Sequence, residues 1–111
     1  MEEALEDFNA AIDRDFACTA AFINRGNVHA YRGNQEQAVA DFTMALWLKG
    51  DMPNIYCNRG LSFYRMGLAK AAYTDLAIAA MMGSTPGKKA MEELFGEAGE
   101  ILETTRERTE N

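Results

Sequence analysis

One spacing constrains this chain more than any other feature: residue types recur every 34 positions without a gap. Asn24-Arg25-Gly26 returns as Asn58-Arg59-Gly60, and Gly33 returns as Gly67. Ala38, Asp41 and Ala45 return as Ala72, Asp75 and Ala79, and the same shift backwards reaches Ala4, Asp7 and Ala11. Phe22 matches Tyr56, and Phe8 matches Phe42 and Leu76. A fixed period of this length marks a stack of supersecondary units, none of which buries its apolar face alone. The small residues of the pattern remove bulk where one helix crosses another, while Phe42 and Leu76 fill the space beside them. A glycine inside a helix costs about 1 kcal/mol against alanine. Spending that twice, at Gly26 and Gly60, makes sense where closer packing offsets it. Gly33 and Gly67 fall just past a helix, where left-handed backbone ends it cheaply.

The periodicity predicts helices over 2–14, 19–32, 35–48, 53–66, 69–82 and 86–106. Pro53 and Pro86 stand at helix starts, where the fixed φ and missing N–H are tolerated. The last of these helices lacks the repeat pattern. Its stripe of Ala90, Met91, Leu94, Phe95, Ala98, Ile101 and Leu102, coated elsewhere by glutamates, suits an end cap, and residues after about Thr105 are expected to fray. At 111 residues there is room for one domain.

The spacing resembles the tetratricopeptide repeat, a pair of antiparallel helices, A and B. That family wants an aromatic and then Gly in helix A, a Gly in the turn, and then Ala, an aromatic and Ala in helix B. The chain supplies Phe22, Gly26, Gly33, Ala38, Phe42 and Ala45, then Tyr56, Gly60, Gly67, Ala72, Leu76 and Ala79, and the resemblance covers about residues 2–84. Arg25 and Arg59 stand where the family often has leucine. Phe16, Gly50 and Ser84 replace the closing proline, so looser turns are expected there. The resemblance implies an all-α, right-handed solenoid of about two and a half repeats with a C-terminal capping helix. Its parts over 1–111 are helix B of a truncated first repeat (2–16), a second repeat (19–50), a third (53–84) and the cap (86–106). A start in mid-repeat points to an excised fragment or a trimmed array.

Composition narrows the functional classes. Seventeen acids against eleven bases give a net charge of −6, unsuited to nucleic acid, whose binding rests on neutralising phosphates. No apolar run reaches the roughly 18–20 residues that span a bilayer, and the acidic N-terminus does not read as a signal peptide. Cys18 and Cys57 form no CxxC pair and read as free thiols in a reducing, cytoplasmic setting rather than a disulfide. His29 is the only histidine, which excludes a multi-histidine metal site; it is expected to pack at the helix interface. The glycines follow no strand and form no phosphate loop. No catalytic constellation, metal site or cofactor is expected, and the chain reads as non-enzymatic.

In the tetratricopeptide family the A helices line a concave groove that takes a peptide or a partner's helix. By family spacing this groove gathers Asn24, Asn27, Tyr31, Asn54, Asn58, Leu61, Tyr64 and Arg65. Related superhelical glycosyltransferases use an asparagine ladder at the position of Asn24 and Asn58, and an amide both donates to and accepts from any peptide unit. Bonding within the array is the alternative. The carboxylate clamp of co-chaperones is mostly absent, since Asn54 and Asn58 stand where it has basic residues. Residues 19–33 and 53–67 carry Arg25, Arg32, Arg59 and Arg65 and no acid. This predicts a neutral-to-basic groove favouring an acidic segment, unless these arginines are solvated or pair with acids such as Asp41 and Asp75.

A second surface is predicted on the B helices. Helices 35–48 and 69–82 are apolar nearly all round, and Met44, Trp47, Ile78 and Met81 should face outward. Exposed Met and Trp mark interfaces, so a homodimer or docking onto a parent protein is the alternative function, unless the last helix or a bend covers them. A regulatory domain cut from a larger protein is a third class.

Overall fold

A computed structural model describes residues 2–14 and 17–96. Five helices run in order: α1 (Glu2–Arg14), α2 (Thr19–Tyr31), α3 (Gln35–Leu48), α4 (Pro53–Arg65) and α5 (Ala69–Met81). A sixth, α6, is helical over 85–96. No strand occurs among the described residues. The part of the expected cap beyond 96, and Phe16 of the first linker, lie outside them.

Each helix from α1 to α5 packs on the next, and α2 also meets α4. This nearest-neighbour order is that of a stacked array. Three turns are built alike. At the end of α2 the Asn34 N–H donates to the His29 carbonyl at 2.8 Å and the Gly33 N–H to that of Ala30 at 3.1 Å. The pair of bonds satisfies helix-end carbonyls, and it requires a left-handed residue, here Gly33 at φ 86°. Gly67 (φ 79°) and Gly83 (φ 94°) do the same after α4 and α5. The turn at Ser84 is therefore tight, not loose as expected. Ser84 Oγ also accepts the Gly87 N–H at 2.9 Å, capping α6.

The core forms two clusters, the first of them shared across the repeats through Ile55 of α4. Phe22, Ile23, Ala38, Phe42, Ala45 and Ile55 form one cluster. Cys57, Ala72, Leu76, Ala79, Ala90 and Phe95 form the other. A Cβ at Gly26 would lie 2.7 Å from Phe42 Cε1, and one at Gly60 would lie 2.9 Å from Leu76 Cγ. Both glycines thus sit at helix crossings that admit no side chain. Ala90 and Phe95 bring α6 onto the second cluster. Phe95 stands edge-on to Tyr64 and Tyr73, with ring centroids 5.7 and 5.4 Å away.

Candidate partner-binding groove

The arginines of the two Asn-Arg-Gly motifs are structural. Arg25 forks onto Asp41 with Nε and Nη2 donating at 2.8 and 2.7 Å, and Arg59 forks onto Asp75 at 2.7 and 2.9 Å. Both aspartates are buried. The third donor of each guanidinium reaches back one repeat, to Asn9 Oδ1 (2.9 Å) or Thr43 Oγ1 (3.2 Å). Each guanidinium also lies over aromatic rings, Phe22 for Arg25 and Tyr56 and Phe63 for Arg59. The fork onto aspartate raises the pKa of both arginines, outweighing the opposing effect of desolvation. Arg32 pairs with Glu2. The expected basic groove is corrected accordingly: three of its four arginines are committed to acids of the array. Arg65 is exposed and has no ion-pair partner among the described residues.

An open depression of about 240 Å³ lies between α2 and α4. It brings together five of the expected groove residues: Asn27, Tyr31, Asn58, Leu61 and Arg65. Tyr31 is 82% exposed beside it. Asn58 Nδ2 donates to Asn27 Oδ1 at 3.2 Å, so these amides bond each other across adjacent A helices. Asn24 and Asn54 are exposed but do not line the depression. Tyr64 lies against Phe95 and does not line it either. The depression also includes Ala30 and Phe42. Phe42 itself is fully buried, the core residue that the sequence spacing predicts.

His29 is half-buried as expected, with Nε2 4.0 Å from Asp41 Oδ2. Its Nδ1 is buried without a hydrogen-bond partner among the described residues. Cys18 and Cys57 are free thiols, and burial pushes the Cys57 pKa up. No group of three or more His, Cys, Asp or Glu that could hold a metal occurs among the described residues. None of the described helices is long and apolar enough to cross a membrane. On the B-helix side Met44, Trp47 and Met81 are exposed, Trp47 and Met81 at 85% and 87%, while Ile78 is half-buried.

Paired helices closed by left-handed glycines, nested on small residues and repeated in one register, define the class. Residues 26–67 match the family model described as TPR repeat, and they lie within an all-helical array of TPR-like fold. Among solved structures it is similar to the Yersinia enterocolitica type III secretion translocator chaperone SycD. The TM-score is 0.72 at 18% identity, over 99% of this chain and 74% of that one, a likeness of fold. No curated protein matches the chain.

Proposed function

We propose that this chain is a non-enzymatic protein-interaction scaffold that holds a partner's peptide or helix between α2 and α4. The carrying observation is the depression shared by Asn27, Tyr31, Asn58, Leu61 and Arg65. It combines an apolar floor, an exposed ring and amides able to pair with a peptide backbone. Asn24 and Asn54, exposed along the same helices, extend it, and Tyr64 borders it near α6. Arg65 gives the groove its preference for an acidic residue, a narrower preference than four free arginines would have given. A similar fold in a translocator chaperone is consistent with a protein partner. Free thiols suit a reducing, cytoplasmic setting.

The test is side-by-side affinity capture from the native source with wild type, Asn24→Ala/Asn58→Ala and Arg65→Glu. Loss of the same captured protein from both variants supports the groove. Unchanged capture by both removes it.

A second reading is favoured by one observation. Trp47 and Met81 occupy equivalent places in consecutive B helices and are almost fully exposed. With Met44 and Ile78 they make an apolar strip suited to self-association. Sedimentation that finds only monomer at high concentration removes this reading.

A further inference from the structure

The outward face of the B helices carries charge as well as apolar bulk, and the two are ordered along each helix. Glu36, Ala40, Thr43 and Trp47 follow one stripe of α3. The 34-residue shift carries them to Lys70, Thr74, Ala77 and Met81 of α5. Ala77 is half-buried and the rest are exposed. Each stripe begins with a charge, passes through small residues and ends, about three turns on, in a large apolar side chain. The two charges are opposite, and neither Glu36 nor Lys70 has an ion pair among the described residues. The hydroxyls between are already engaged: Arg59 Nη1 donates to Thr43 Oγ1 at 3.2 Å, and Thr74 Oγ1 donates to the Lys70 carbonyl at 3.0 Å. The same register in α1 reads Glu2, Glu6, Asn9 and Asp13. The apolar ends therefore belong to α3 and α5 and not to α1.

We infer that the occupant of this face is a second copy of the chain, seated by a two-fold axis that runs along the B helices between α3 and α5. The inference rests on the second reading above, that the strip self-associates, and gives that association its register. A two-fold in this direction keeps the sense of the helices and lays α3 of one copy on α5 of the other. Each residue of α3 then faces its repeat equivalent in the other copy. Trp47 meets Met81, the small residues let the helices approach, and Glu36 meets Lys70. The interface is isologous, so every one of these contacts is made twice. With the axis across the helices instead, α3 lies on α3 and α5 on α5 with opposite sense. That arrangement sets Glu36 against Trp47 and Lys70 against Met81, each charge on an apolar side chain. Charges at the rim of an interface fix register more than they add affinity. Only the first arrangement gives both charges a partner of opposite sign, and it makes the face complementary to itself.

The experiment measures the dimer dissociation constant by sedimentation equilibrium at low salt for wild type, Glu36→Lys, Lys70→Glu and the exchanged pair Glu36→Lys/Lys70→Glu. Each single reversal sets like charges together at both ends of the interface and is expected to weaken the dimer about fivefold or more. The exchanged pair restores opposite signs and is expected to return to within about twofold of wild type. Both positions are exposed, so the variants keep their helicity, which circular dichroism checks. A dimer that Trp47→Glu breaks but the charge variants leave unchanged overturns this register and leaves self-association standing. So does one that the single reversals weaken and the exchange fails to restore. Monomer alone at high concentration overturns the inference together with the reading it rests on. Trp47 shielded from a quencher in that monomer would assign the cover to the chain's own remaining residues.

Discussion

Three aspartates share one position of the repeat, and burial makes them different residues. Asp75 is 3% exposed and held by both prongs of Arg59, whereas Asp7 is exposed and has no ion pair among the described residues. Removing one member of a buried pair leaves an uncompensated charge. Arg59 keeps some access to water, so Asp75→Ala is expected to cost about 3 kcal/mol in urea unfolding, the low end of the range for such pairs. Asp7→Ala is expected to change stability by less than about 0.5 kcal/mol, as surface substitutions do. A second contrast concerns the thiols. Burial raises the Cys57 pKa, so near neutral pH the folded chain holds less thiolate there than an exposed cysteine would. Maleimide labelling followed by mass spectrometry should find Cys18 modified well before Cys57, with the gap closing in denaturant.

Helix crossings decide what a glycine is for. At Gly60 alanine would gain about 1 kcal/mol of helix propensity, yet its Cβ would meet Leu76 Cγ at 2.9 Å and Asp75 Cβ at 3.1 Å. Leu76 is fully buried and Asp75 is pinned by Arg59, so neither moves aside cheaply. Gly60→Ala is therefore expected to be net destabilising by about 1–2 kcal/mol, measured by chemical denaturation. Gly33→Ala meets no atom within 4 Å but keeps a φ of 86°, so any loss there comes from backbone strain alone. At the other end of the array, Phe95 ties α6 down through two edge-on rings. Phe95→Ala should lower hydrogen-exchange protection in α6 and leave α2 and α3 nearly unchanged, because an array couples mainly neighbours.

For the whole molecule, the core split into two clusters means that no single centre holds the array together. The only tryptophan lies outside both. Trp47 is 85% exposed, so its emission in the monomer should already be that of a water-exposed indole and change little on unfolding. A blue shift and quencher protection that grow with concentration, and vanish in Trp47→Glu, would report association through the B-helix strip. Constant emission across the concentration range would leave the groove as the interaction surface of the isolated chain.

Nearly all of the fold was legible in the sequence, because nesting helices demand small residues at crossings and left-handed residues at turns, and few side chains meet either demand. Gly26 and Gly60 therefore marked the crossings, and Gly33 and Gly67 marked the ends of α2 and α4 to within a residue. The role of an arginine was not legible. Arg25, Arg59 and Arg65 share helices of one type, but charge becomes structural or available only according to what stands opposite. Asp41 and Asp75 claim the first two and no described acid claims the third. The amides divided in the same way: Asn27 and Asn58 meet across adjacent repeats, while Asn24 and Asn54 stay free of the depression. Sequence spacing determined which residues share a helix face. Only packing one repeat on the next decided which of those faces is closed, because burial is a property of neighbours.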